Sequence, residues 1–186
     1  MDTNIYFIME SEDYDDNYGF AFSQENISPS KIQNWNESDE WEIITFELKG
    51  GDYADYIVND LNIPLCSERL KIILQNSVKL NRDNLLFYPV TISYENKDRQ
   101  YYFLKPPVLE DVIDIEKSTF KNNTILNPYF ISEKIEDVFR CDYDTSYLFV
   151  TENLMKILNN KQITGIDFYS WSKLPDSEKK QTTRLQ

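Results

Sequence analysis

Along residues 41–49 (WEIITFELK) apolar and polar positions alternate: Ile44, Phe46 and Leu48 fall on one side, Thr45 and Glu47 on the other. A period of two marks a strand with one wet face, and Gly50-Gly51 ends it. The same pattern predicts strands at 3–9 (TNIYFIM), at 18–22 with Phe20 and Phe22 on one face, and at 85–94, where Leu86, Tyr88, Val90 and Ile92 alternate. Pro89 lies inside that last run and predicts an edge position or a bulge, because proline cannot donate to a ladder. NKDR then reads as the turn into a hairpin partner at 100–105 (QYYFLK), and further strands are expected at 137–141, 147–150 and 165–169.

At two places the period changes to that of a helix. After Ser67, an N-cap residue, Leu70, Ile73 and Leu74 stand at i, i+3 and i+4; after Thr151, Leu154, Ile157 and Leu158 repeat the stripe. Glu68 and Glu152 occupy the first turns, where the helix dipole favours an anion. The fold class expected is α+β: a mainly antiparallel, strand-rich sheet covered by two short amphipathic helices. Residues 1–186 read as a single domain, with an acidic strand-rich part at 1–60, a core at 61–174 and a disordered tail at 175–186.

Composition supports a folded chain. At 186 residues, 41% apolar, with 13 Tyr and 11 Phe, there is enough apolar surface to offset the entropy of ordering. No apolar run approaches the roughly 20 residues needed to cross a bilayer, and MDTNIYFIME lacks the basic start of a signal peptide, so a cytoplasmic protein is expected. Cys66 and Cys141 stand singly and read as partly buried apolar fillers rather than ligands. Histidine is absent, which removes Ser-His-Asp and Cys-His nucleophiles and imidazole metal ligands; no phosphate-cradling or nucleophile-elbow glycine motif is present either. Neither a cofactor nor a metal is implied.

Charge changes the picture. The net charge is −13, and residues 1–60 hold 15 acids against Lys31 and Lys49, so the whole imbalance falls in the first third. An acidic face repels nucleic acid and anionic membrane and favours a basic protein partner; a solvated acidic surface without a partner accounts for the same letters. The acids are densest in residues 9–20 (MESEDYDDNYGF). Asp13, Asp15 and Asn17 start a calcium-loop spacing, but Tyr18 stands where glycine is needed and Gln24 where a bidentate Glu is needed. Asp111, Asp114 and Glu116 around VIDI are the candidates for carboxylate acid-base work, with an exposed edge strand as the alternative. Arg140, beside Phe139, is expected in a structural ion pair with Asp114 or Glu116.

The succession ADYIVND, LCSERLKIIL, LLFYPVTI, QYYFLK, VIDIEKS, DVFR, VTENLMKIL and ITGIDF, over residues 53–168, resembles the bacterial immunity proteins of polymorphic toxin systems, the eleventh immunity-protein family and its close relatives. Its motif positions fall on Ser67, Asp114, Ser118, Phe139, Arg140, Thr164 and Gly165. The resemblance implies a stoichiometric antitoxin that binds a cognate toxin in the cytoplasm, with no catalysis and no cofactor. Toxins of such systems often act on nucleic acid and so present basic faces. The acidic stretch would then imitate a phosphate backbone, with Glu10, Glu12, Asp13, Asp15 and Asp16 supplying charge and Tyr14 and Tyr18 supplying rigid anchors. The alternatives are a carboxylate-based enzyme and a general scaffold or regulatory protein.

Overall fold

A computed structural model describes residues 6–11, 17–25, 27–28, 31–32, 40–77, 85–121 and 124–170. Its strands form two large sheets and one separate two-stranded ribbon. In chain order the elements are β1 (Tyr6–Ser11), β2 (Phe20–Ser23), β3 (Ile44–Lys49), β4 (Tyr56–Ile57), β5 (Leu65–Ser67), α1 (Glu68–Ser77), β6 (Leu86–Tyr94) and β7 (Lys97–Lys105). There follow β8 (Val108–Leu109), β9 (Thr119–Lys121), β10 (Thr124–Asn127), a 3₁₀ turn at Ser132–Lys134, β11 (Val138–Cys141), β12 (Asp144–Thr151), α2 (Glu152–Asn160) and β13 (Ile166–Ser170).

The six-stranded sheet runs β2-β3-β6-β7-β5-β4, antiparallel except for the β3–β6 pair, and it curls until its two edges meet. The Ala21 N–H donates to the Val58 carbonyl at 2.9 Å and Asp60 N–H to that of Ala21 at 3.2 Å, so the outer edge of β2 is capped by the chain leaving β4. Edge strands closed on each other offer no free ladder. Inside the curl the alternation read from the sequence is realised: Ile44, Phe46 and Leu48 pack with Val90, Ile92, Tyr101 and Phe103. Cys66 of β5 and the intervening positions of β7, Tyr102 and Leu104, face outward into a second cluster.

That second cluster joins the sheets. The five-stranded sheet, β13-β1-β12-β11-β8, contributes Val138, Leu148, Val150 and Ile166; α1 and α2 contribute Leu70, Leu74, Leu154 and Leu158. Both helices start where expected: the Ser67 hydroxyl accepts from Leu70 N–H at 3.1 Å and the Thr151 hydroxyl from Leu154 N–H at 3.3 Å. On the far face of the five-stranded sheet, Phe139 and Phe149 stack beside Phe130 over Val112 and Ile125.

Two expectations are corrected. Pro89 is not on an edge strand: β6 lies between β3 and β7. The proline is tolerated because the β3–β6 ladder begins only at Ile44↔Val90, while the Pro89 carbonyl accepts the Trp41 indole N–H at 2.7 Å. The N and C=O of one strand residue face the same side, so the missing donor points past the end of that ladder. The hairpin turn is shorter than expected, with Glu95 and Asn96 both at positive φ (48° and 60°), the twist a two-residue turn needs; β7 therefore begins at Lys97 rather than at Gln100.

Candidate functional site

Two chain segments, one 12 and the other 109 residues away in sequence, converge on one carboxylate. Asp55 follows β1–β3 in the chain, only 7% exposed, in the short stretch that leads into β4. One of its oxygens, Oδ1, accepts the Ser67 hydroxyl at 2.7 Å; Oδ2 accepts Arg69 Nη1 at 2.7 Å, Thr164 N–H at 3.2 Å and the Thr164 hydroxyl at 3.3 Å. The Thr164 hydroxyl in turn accepts Asp55 N–H at 3.0 Å. Arg69 continues outward: Nη2 donates to the Lys161 carbonyl and Nη1 reaches that of Gln162 at 3.4 Å. A buried carboxylate costs several kcal/mol to desolvate unless charge and hydrogen bonds compensate, and here four donors do so. The cluster ties the start of α1 to the turn after α2. Gly165, at φ +76°, completes it, since a Cβ there would sit 2.1 Å from the Tyr56 carbonyl oxygen.

Beside this cluster opens a cleft of about 390 Å³, bordered by Tyr53, Asp55, Arg69, Arg99 and Tyr101. Its aromatic wall is fixed. Tyr101 donates to the Ala54 carbonyl at 2.7 Å, and the Tyr53 hydroxyl reaches the carbonyls of Lys97 at 3.1 Å and Ile92 at 3.3 Å. Burial pushes both phenols above their ordinary pKa, and Arg99 opposes this, so both stay neutral donors. The two rings stack 6.1 Å apart, and the Arg99 guanidinium lies 4.0 Å over Tyr53.

The partner-binding residues expected from sequence fall elsewhere. Glu10 is in β1, opposite Asp167 of β13, and Glu12, Asp13, Tyr14, Asp15 and Asp16 lie outside the described residues. Tyr18 is half-buried against the core of the curled sheet and forms a bridge with Asp52, which is exposed. Several acids of the first third have structural work. The Glu25 carboxylate accepts Thr45 N–H at 3.0 Å, that of Asp60 accepts Ser23 N–H at 2.9 Å, and Asp55 is internal.

The carboxylate set around VIDI does not assemble. Asp114 opens a turn, not a strand: its Oδ1 accepts Lys117 N–H at 3.2 Å and its Oδ2 pairs with Lys117 Nζ at 2.8 Å, while Glu116 is exposed and Asp111 is exposed at φ 51°. The hydrogen bond from Lys117 holds the Asp114 carboxyl below the usual range, the opposite of what a neutral general acid needs. Nor does Arg140 pair with Asp114, which Lys117 already holds. It sits in β11 on the face shared with Val138, its Nε buried without a hydrogen-bond partner, and burial lowers its pKa. Cys66 and Cys141 are fully buried, where partial burial was expected. Among the described residues no group of three or more His, Cys, Asp or Glu is placed to hold a metal ion, and no helix is long and apolar enough to cross a membrane.

The model of the immunity protein family Imm11 matches residues 12–173. The chain belongs to this family. No curated protein matches it. The Imm11 match extends beyond residues 53–168 at both ends and takes in most of the acidic first third. Its resemblance-bearing positions have plain physical roles: Ser67, Thr164 and Gly165 meet at Asp55, and the Ser118 hydroxyl bridges the Asp114 carbonyl (2.6 Å) and Tyr129 N–H (2.9 Å). Sequence reasoning missed Asp55, Arg69 and Arg99. Asp55 stood inside the quoted ADYIVND, and an acid flanked by apolar residues in a strand-like run was the available signal.

Proposed function

We propose that this Imm11 protein is a stoichiometric antitoxin of a polymorphic toxin system, acting in the cytoplasm by binding a cognate toxin with a basic surface and blocking its active site or substrate path. Family membership over residues 12–173 carries the reading. The electrostatics support its mechanism: with −13 in total and 15 acids in residues 1–60, the first third attracts cations at a distance. Glu25, Asp55 and Asp60 hold the fold, whereas Glu40, Glu42 and Asp52 are exposed and add to the charge of Glu10, Glu12, Asp13, Asp15 and Asp16. Tyr14 and Tyr18 are the anchors of this surface, and the exposed Asp52 stands beside Tyr18. The protein needs no cofactor for this and performs no catalysis.

The test uses the product of the neighbouring toxin gene, inactivated at its catalytic site. Replacing Glu12, Asp13, Asp15 and Asp16 together by Gln or Asn is expected to leave the Tm nearly unchanged and to slow association by ~10-fold or more at low salt, with the difference shrinking as salt rises. Unchanged association kinetics would remove the acidic stretch from the mechanism, and failure of the parent protein to bind that toxin would remove the antitoxin reading itself.

A further inference from the structure

The described arginines differ in what answers their charge. Arg69 is held by Asp55 at 2.7 Å, and Arg140 is largely buried within the core. Arg99 is exposed at the mouth of the cleft and, among the described residues, meets no carboxylate; its contact is the Tyr53 ring at 4.0 Å. The other charges facing the cleft are answered internally, since Asp55 pairs with Arg69 and Glu68 with Lys71 at 3.5 Å. The cleft therefore presents one guanidinium that no described carboxylate engages, in a chain of net charge −13.

We infer that this cleft receives a carboxylate side chain of the toxin, an Asp or Glu gripped by the Arg99 guanidinium stacked on Tyr53. The inference rests on the antitoxin reading. Stacking on an aromatic ring leaves the in-plane N–H groups of a guanidinium free and orients them, and a carboxylate is the planar group that accepts two of them side by side. The Tyr53 ring is fixed by its hydroxyl contacts to the carbonyls of Lys97 and Ile92, so little freedom is lost when the pair forms. A cleft of about 390 Å³ leaves room for an inserted side chain. The same partner is in reach, because Tyr53 directly follows Asp52, the residue bridged to Tyr18. The exposed carboxylate of Asp52, which attracts a basic toxin group, and the cleft, which takes one acid of the toxin, offer opposite charges at neighbouring points, which sets the orientation of the complex.

The experiment measures dissociation of the inactivated toxin from the parent protein, Arg99→Gln and Arg99→Lys, with the Tm of each. Both variants are expected to keep the parental Tm within a few degrees, because Arg99 is exposed and gives up only its contact with the Tyr53 ring. Arg99→Gln is expected to dissociate ~10-fold or more faster. Arg99→Lys, which keeps the charge and loses the fork, should recover only part of this. Each Asp and Glu of the toxin is then neutralised singly, and one of them should show the same loss and add nothing further to Arg99→Gln. If the parent binds and Arg99→Gln dissociates at the parental rate, or no toxin acid couples to Arg99, the cleft inference is overturned while the antitoxin reading stands. If the parent does not bind at all, both fall.

Discussion

Removing the Asp55 carboxylate measures how far one buried group holds the two halves of the described core together. In Asp55→Ala the Ser67 hydroxyl, the Thr164 N–H and hydroxyl, and Arg69 Nη1 all lose their acceptor at once. Hydrogen bonds to a charged group contribute roughly 1.5–3 kcal/mol each, and breaking a fully buried ion pair costs about 3–5. Both figures need discounting here, because the Arg69 side chain is 52% exposed and water can replace its partner. The bonds to Ser67 and Thr164 are the better protected. A loss of about 3 kcal/mol is expected, which at about 2–4 °C per kcal/mol for a chain of this size lowers the Tm by roughly 6–12 °C. Urea unfolding followed by tryptophan fluorescence reads it as a lower midpoint with an unchanged slope. Asp55→Asn keeps one acceptor and should lose about half as much. Thr164→Ala on the Asp55→Ala background should cost markedly less than alone, since their hydroxyl-carboxylate bond is already gone. A loss under about 1 kcal/mol for Asp55→Ala, or strict additivity with Thr164→Ala, would refute the account of Asp55 as the tie.

Gly165→Ala should destabilise by about 3 kcal/mol or more, checked by the same urea midpoint, because positive φ is strained for alanine and its Cβ would lie 2.1 Å from the Tyr56 oxygen. The Asp114 carboxyl, followed by NMR through a pH titration, should protonate below the ordinary carboxylate range and move up toward it in Lys117→Gln. Its folded-state pKa is depressed, so its contribution to stability is present above the unfolded carboxylate value and is lost as pH falls through the folded one.

Local chemistry made much of the fold readable. The period-two alternation of Ile44, Phe46 and Leu48 put them inside the curled sheet, and Ser67 and Thr151 start helices whose Leu70, Leu74, Leu154 and Leu158 are buried. These depend on neighbours within a few residues, which is why a single stretch suffices to read them. Pro89 shows the limit: the rule that proline avoids central strands is sound, but it is satisfied by where β3 happens to begin, a fact about a different segment. The VIDI stretch shows it again, as Asp114 serves a turn with Lys117 rather than a strand face.

By itself, then, the sequence determined the α+β class, the two capped helices, the faces of the longer strands and the segregation of negative charge into residues 1–60. Tertiary structure alone decided that the six-stranded sheet closes edge to edge at Ala21, that Ser67, Arg69 and Thr164 meet at Asp55, and that Arg99 lies over Tyr53 beside an open cleft. The physical reason is sequence separation. Asp55 and Thr164 are 109 residues apart, and a pairing over that distance leaves no periodicity in the chain, because it arises only when the entropy of closing the loop is offset by burial of the whole core between them.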